Sequence, residues 1–357
     1  MTYDQLRQIR TERRMPVHDF DEGRRMAATA PTRGTKMKAI VRHKYGTSDV
    51  LGLEDVDVPG LEDDRALVRV HAASVNALDW HLLRGLPYLV RLSEGLRRPK
   101  RSSMGVDVAG RVEAVGKNVT QFRPGDAVFG ARDGAFAEYV AAKEEKLVLK
   151  PANVSFEQAA AVPVAGCTAL QALRDKGQVQ PGQKVLINGA AGGVGTFAVQ
   201  LAKSFGADVT ATTSPRNVDL IRSIGADRVI DYTREDFTKG GQRFDLILDI
   251  GGKRSLFACR RALTRTGTYV IVGGPSGRWI RPMDRALGAA ILSRFVRQKL
   301  LFFIAKLPKE DLILLKELLE AGKVTPVIDR TYRLSETPEA IRYLEEGHAR
   351  GKVVITV

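Results

Sequence analysis

The stretch KVLINGAAGGVGTFAVQLAK, Lys184 to Lys203, narrows the folds open to this chain more than any other part of it. Val185, Leu186 and Ile187 form an apolar run that reads as a buried strand and stops in glycine. Phe197, Val199 and Leu201 belong to an apolar-periodic segment that reads as a helix. Between them lies GAAGGVG, with Gly189, Gly192, Gly193, Val194 and Gly195. Strand, glycine turn and helix N-terminus in this order form a phosphate cradle. With no side chains at Gly192 and Gly193 a pyrophosphate can reach the backbone, where unpaired N–H groups and the helix dipole face the anion. A lone glycine motif is weak, and the flanking strand and helix are what separate a dinucleotide site from a ligand-free tight turn.

The next strand, Asp208 to Thr213, decides which dinucleotide is expected. An NAD site usually ends this strand with a carboxylate about 20 residues past the glycines. Here that place holds Thr212, Thr213 and Ser214, with Arg216 just beyond, while Asp208 opens the strand instead of ending it. Hydroxyls and a guanidinium suit a 2′-phosphate, because arginine offers a rigid fork of donors and no carboxylate repels the anion. NADPH is therefore expected in preference to NADH. The plainer alternative makes Arg216 a solvated residue at a helix start.

The other strands and helices follow from the pattern of apolar runs and breakers. From Met37 to about Pro151, short β runs such as ALVRVHAASVN and VAGRVEAVG are separated by Gly/Pro/Asp punctuation, which suggests a small, partly open barrel. A helix, SFEQAAAVPVAGCTALQAL, begins at Ser155 as its N-cap with one proline inside. RVIDY, FDLILDI and GTYVIVGG then alternate as strands with the helices NVDLIRSIG and SLFACRRAL, giving a parallel, doubly wound α/β sheet. The C-terminal stretch returns to β, with a helix from Thr337-Pro338, and rejoins the barrel. The expected domains are a basic, disordered extension over 1–36, a barrel domain over 37–158 and 307–357, and a dinucleotide domain over 159–306. A short helix over Tyr3–Arg13 is the only order expected in the extension.

At 357 residues the chain is long enough for two such domains. Its two cysteines, Cys167 and Cys259, make neither a disulfide framework nor a metal cluster, which fits a reducing, cytoplasmic setting. No run reaches 18 apolar residues, and no signal-peptide core is present at the N-terminus. The formal net charge of +15 is unusual and directs attention to where the basic residues lie.

Six motifs in order carry a family resemblance: GVDVAGRVEAVG, PGDAVFG, GAFAEYV, FEQAAAVPVAGCTALQAL, GAAGGVG and the closing GKVVI. From Met37 onward the chain resembles a zinc-free member of the medium-chain dehydrogenase/reductase superfamily, near the quinone oxidoreductase and enone reductase branch. The resemblance implies a GroES-like barrel domain around an inserted Rossmann domain, with the active site between them. Where zinc-dependent relatives place a Cys, a His and a Cys, this sequence has Asn76, Val106 and Val164, and the four-cysteine structural loop is missing. No metal site is expected. Without a Lewis acid, hydride delivery to an already conjugated acceptor is the expected chemistry: NADPH-dependent reduction of a quinone or an α,β-unsaturated carbonyl.

The same resemblance nominates residues. Asn76 is expected to donate to the substrate oxygen or to orient the nicotinamide ribose, with a turn-capping asparagine as the alternative. Asp79 orders that loop. His81 or Tyr88 supplies a proton, unless a positioned water does. Thr168 is expected near the nicotinamide and Tyr232 beside the ribose phosphate, while Asp249, Gly273 and Gly274 end strands that open towards the ligand. Lys352 reaches the cofactor or is a plain surface lysine.

Residues 276–306 read as a basic, apolar helical segment, with seven Lys/Arg against Asp284 alone. Basic residues interleaved with Leu, Ile and Phe suit either a lid or dimer helix or peripheral contact with an anionic membrane. The expected partners are thus a small carbonyl or quinone substrate and a second copy in a homodimer. No specific nucleic acid is expected, since no groove-reading motif accompanies the charge. Two alternatives remain at this stage: an NADPH-binding protein of the same fold without turnover, and a zinc-type alcohol dehydrogenase by family label only.

Overall fold

The computed structural model describes residues 34–252, 254–273 and 283–357. The helix expected over residues 3–13 lies outside them, as do Gly274, Arg278 and Arg281. In chain order the strands are β1 (Lys36–Arg42), β2 (Leu51–Asp57), β3 (Arg65–Val75), β4 (Asp107–Val115), β5 (Ala127–Ala131), β6 (Tyr139–Lys143), β7 (Leu147–Leu149), β8 (Lys184–Asn188), β9 (Asp208–Thr213), β10 (Arg228–Asp231), β11 (Phe244–Asp249), β12 (Leu263–Ile271), β13 (Lys299–Phe302), β14 (Ile328–Arg333) and β15 (Lys352–Thr356). The helices used below are α1 (Ala77–Arg84), α2 (Phe156–Ala160), α3 (Pro163–Gln171), α4 (Gly193–Ser204), α5 (Leu256–Arg261), α6 (Met283–Leu292), α7 (Lys309–Glu320) and α8 (Thr337–Glu345).

Six strands form a wholly parallel sheet in the order β10–β9–β8–β11–β12–β13. Its two central strands are apolar on both faces, and Val185, Leu186, Ile187, Leu246, Ile247 and Leu248 are almost wholly buried. That pattern is what helices on both sides of a parallel sheet require. The order is the doubly wound one in which the chain reverses direction between β8 and β11, and ligands sit beyond the carboxyl ends of the strands at such a switch point. The second sheet, β14–β15–β3–β4–β5–β7 with β6 beside β3, is antiparallel except for the β14–β15 pair. This is the expected combination of a GroES-like barrel and a Rossmann sheet.

Two local features differ from the sequence expectation. The helix begun by Ser155 is two helices. Ser155 caps α2 by accepting from Gln158 N–H at 3.2 Å while its own N–H donates to Gln158 Oε1 at 2.9 Å. Pro163 then starts α3, since proline has no N–H to continue α2 and fits the first turn of a new helix. The segment over 276–306 is not helical throughout. Among its described residues α6 is the helix, and Lys299–Phe302 joins the parallel sheet as its outer strand, pairing with Thr268–Ile271. Short apolar runs do not distinguish strand from helix by periodicity, and burial of Leu300 against the β12 side of the sheet decides the outcome.

The last strand positions the site. β15 pairs antiparallel with β3 through Val353–Thr356, and just before it Gly351 N–H donates 2.8 Å to Ala191 O in the glycine turn. Gly192 and Gly351 form a bridge there. Lys352 consequently stands where the edge of the barrel meets the mouth of the parallel sheet.

Candidate active site

Asn76 ends β3 and begins α1, and Asp107 opens β4 on the adjacent strand. Their side chains meet inside the molecule. Asp107 Oδ2 accepts from Ser74 Oγ at 2.7 Å, from Asn76 Nδ2 at 2.9 Å and from Lys352 Nζ at 3.4 Å, and its Oδ1 accepts from Val164 N–H at 2.9 Å. Lys352 Nζ donates further to Asn76 Oδ1 at 2.5 Å and to Val75 O at 3.2 Å. Asp107 is 0% and Lys352 3% exposed, so each charge depends on the other in a region without solvent screening. Burial lowers the lysine's pKa, and the charges of Asp107 and Asp79 pull it back up.

Asp79 faces the same cluster. Its Oδ2 accepts Asn76 N–H at 2.7 Å, which orders the start of α1 as expected. Burial pushes this carboxyl up to about 7; the Asn76 N–H opposes that push and the nearby Asp107 charge adds to it.

The glycine turn lies directly beside this cluster. Gly189 has φ +91°, and a Cβ on Gly195 would come within 2.4 Å of Gly189 O, so the turn closes only with glycine at both positions. The first bond of the helical ladder runs from Thr196 N–H to Gly192 O, which leaves the N–H groups of Gly193, Val194 and Gly195 ahead of it. A Cβ on Gly193 would meet the Lys352 stem at 2.9 Å, so the lysine lies across the helix N-terminus and sends its ammonium to Asn76.

At the end of β9, Thr213 Oγ1 is buried without a hydrogen-bond partner, a vacancy that a ribose or phosphate oxygen would fill. Ser214 Oγ accepts from Asn217 Nδ2, and Tyr232 N–H donates to Thr213 O, which brings the three residues together. Arg216 is exposed and spends one Nη2 bond on His348 O, leaving much of its fork to solvent. Open glycine backbone, an orphaned hydroxyl and a guanidinium fit a nicotinamide dinucleotide.

The nominated residues take the following places. Asn76 has both amide hydrogens engaged, with Asp107 and with Ser74 O at 3.3 Å, so the cluster takes the donors expected to face a substrate. Lys352 is not a surface lysine. Asp249 does not open towards a ligand: wholly buried, it accepts from Asn188 Nδ2, Gly252 N–H and the Tyr269 hydroxyl and ties β8, β11 and β12 together. Gly273 follows β12 and its N–H donates to Asp249 O. Thr168 sits on α3 with its hydroxyl donated to Val164 O at 2.6 Å. His81 Nδ1 lies 2.9 Å from Leu86 O; a carbonyl only accepts, so Nδ1 carries the proton. Burial lowers its pKa, and the neutral ring then offers Nε2 as an acceptor, not the acid expected from the sequence. Tyr88 packs under the Arg91 guanidinium, 4.8 Å from the ring centroid. Sequence reasoning missed Asp107 as a site residue, although it stands in the GVDVAG motif.

The metal positions offer no ligand set. Val106 and Val164 carry no donor atom, Asn76 is committed to its neighbours, and among the described residues no three His, Cys, Asp or Glu side chains gather as a metal site.

Removing one partner of a buried ion pair strands the other. Lys352→Met should cost about 3 kcal/mol in denaturant unfolding, and adding Asp107→Asn should restore part of it. For Asp79 the folded state keeps a proton that the unfolded chain loses near its ordinary value of 3.8. Stability attributable to this group therefore falls as pH rises from about 4 to about 7 and is level above. Asp79→Asn keeps the acceptor for Asn76 N–H, so its stability relative to the parent should rise across that window, as unfolding at about pH 5 and about pH 8 would reveal.

Comparison with known proteins identifies the family. Residues 62–152 match the family model described as alcohol dehydrogenase GroES-like domain, and residues 224–355 match that described as zinc-binding dehydrogenase. The chain is 36% identical over 374 residues to the mitochondrial NAD(P)H oxidoreductase RTN4IP1 of Bos taurus, spanning 94% of this chain and 92% of that protein. It is 36% identical to the 2-methylene-furan-3-one reductase of Solanum lycopersicum, over 90% of this chain and 79% of that one. Among solved structures, the quinone oxidoreductase from Coxiella burnetii aligns with a TM-score of 0.80 at 32% identity, over 90% of this chain and 100% of that one. The Escherichia coli quinone oxidoreductase complexed with NADPH aligns with a TM-score of 0.77 at 27% identity, with the same two coverages. The chain belongs to the medium-chain dehydrogenase/reductase superfamily as an NAD(P)H-dependent reductase, with relatives named as quinone oxidoreductases and as an enone reductase.

Proposed function

We propose that this protein is an NADPH-preferring reductase that delivers hydride, without zinc, to a quinone or an α,β-unsaturated carbonyl. The observation that carries the reading is Lys352. Its stem covers the glycine helix N-terminus and its ammonium holds Asn76, so one side chain joins the dinucleotide cradle to the loop expected to face the acceptor. The N–H groups of Gly193, Val194 and Gly195 would hold the pyrophosphate, with Thr213, Ser214 and Arg216 at the 2′-phosphate and Tyr232 beside them. The dinucleotide, when bound, supplies the hydride. The protein's part is to fix reactants at close range and to keep its own polar groups from moving, which is the larger share of what positioning contributes to such reactions. Asp107 does this by anchoring Asn76 and Lys352 from below.

The acceptor class rests on chemistry and on kinship. Val106 and Val164 leave no Lewis acid to lower an alcohol's pKa, whereas a conjugated acceptor needs only hydride and one proton. Relatives named as quinone oxidoreductases and as 2-methylene-furan-3-one reductase support the same class.

The decisive experiment is oxidation of NADPH, with NADH in parallel, against a simple quinone and a short enone using chelator-treated protein. Turnover that survives chelation is expected; activity lost to the chelator and restored by zinc would overturn the reading. Arg216→Ala should lower kcat/KM for NADPH about tenfold and leave that for NADH nearly unchanged, since one charge-assisted contact is removed.

A further inference from the structure

At the amino ends of the parallel strands, opposite the cofactor cradle, five arginines surround an open groove of about 380 Å³. They come from four separate places in the chain. Arg243 precedes β11, Arg260 and Arg261 end α5, Arg265 lies near the start of β12, and Arg297 lies in the turn between α6 and β13. The turn is fixed in place, because Gln298 Nε2 donates to Arg260 O at 3.3 Å and to Thr264 O at 3.2 Å. No carboxylate lines the groove, and none of Arg260, Arg261, Arg265 and Arg297 forms an ion pair among the described residues. Five like charges held together, with no carboxylate of the described residues paired to them, raise the local potential and call for an anion.

Exposed apolar side chains stand on the same elements as the arginines. Phe295, itself part of the lining, is 80% exposed. Ile291 and Leu287 stand four and eight residues before it on α6 and its continuing turn, 54% and 64% exposed, so the three form a stripe at helical spacing. On α5, exposed Phe257 precedes Arg260 and Arg261 by three and four residues. A stripe of Leu, Ile and Phe that runs into arginines is the composition of a surface that lies at a lipid headgroup boundary, with rings among the acyl chains and guanidinium groups on phosphates.

We propose that this face docks on an anionic phospholipid surface. A free phosphate would satisfy the arginines but leaves the apolar stripe in water. A second copy of the chain, seated on the groove, would oppose its own five arginines. A nucleic acid would want a series of stacking aromatics, and among the described residues Phe295 is the single ring in the lining. With the cradle at the other end of the sheet, docking leaves the cofactor entrance clear of the membrane. The proposal is independent of which acceptor the enzyme reduces.

The test is sedimentation of the full chain with phosphatidylcholine vesicles, with and without about a third phosphatidylglycerol. Binding is expected only to the anionic vesicles, and is expected to fall as salt rises. Arg261→Gln with Arg265→Gln and Arg297→Gln should weaken partitioning roughly a hundredfold, as three phosphate-facing charges are lost. Phe295→Ser should weaken it at every salt concentration, and NADPH binding by both variants reports that they are folded. Three results would overturn the proposal: equal binding to neutral vesicles, anionic binding unchanged in both variants, or Phe295→Ser converting a dimer to a monomer. Saturable binding of pyrophosphate at the groove, with no vesicle binding, would assign the arginines to a soluble phosphate ligand instead.

Discussion

The architecture of the candidate site depends on one buried ion pair. Lys352 and Asp107 are 245 residues apart in sequence and meet at 3.4 Å with almost no solvent exposure. Neither charge is tolerable alone at that depth, since an isolated buried ion costs several kcal/mol even after relaxation. Together, with Ser74, Asn76, Val75 and the Val164 backbone around them, their lone pairs and protons are nearly all used. The pair also ties three stretches of chain to one point: the β3–α1 corner, the start of β4, and the start of β15. The C-terminal strand is thereby locked against the glycine turn, where Gly351 already bonds to Ala191. Geometry of this kind holds a reactive surface still, because movement of any one element would strand a charge.

Much of this was legible in the sequence where local rules dominate. The strand, glycine turn and helix around Gly189–Gly195 are dictated by backbone conformation alone, and β9 falls at Asp208–Thr213 as read. Ser155 as an N-cap was legible for the same reason, because a cap involves only a few consecutive residues, and the structure adds Gln158 as its reciprocal partner. Proline at position 163 was visible too, but its consequence depends on packing: α3 restarts where Val164 N–H can reach Asp107.

The misses are long-range. Nothing near Asp107 in sequence announces that its carboxylate will meet a lysine from the last strand, and a GVDVAG run reads as an ordinary strand start. Lys352 looks like any lysine before an apolar run until β15 is placed against β3. Asp249 ends a strand at the ligand side of the sheet, yet its carboxylate turns inward to three donors because Asn188 and Tyr269 flank it on neighbouring strands. β13 was hidden in a basic, apolar stretch whose periodicity suits a helix equally well. Pairing with β12, a tertiary fact, decides it.

The parallel sheet imposes a polarity that accounts for where chemistry and charge can accumulate. All strands run one way, so helix N-termini and open glycine backbone collect at their carboxyl ends, while helix C-termini and strand starts collect at the other. Cations are favoured beside helix C-termini, and Arg260 and Arg261 occupy the last turn of α5. The arginine groove is in this sense permitted by the same geometry that makes the dinucleotide cradle, at the opposite end of the same strands. Helix ends, however, account for only two of the five charges. Arg243, Arg265 and Arg297 come from a loop, a strand and a turn, and their convergence with an exposed Phe295 needs a cause beyond the dipole. An external anionic surface supplies one, since it stabilises the charges and the apolar stripe together.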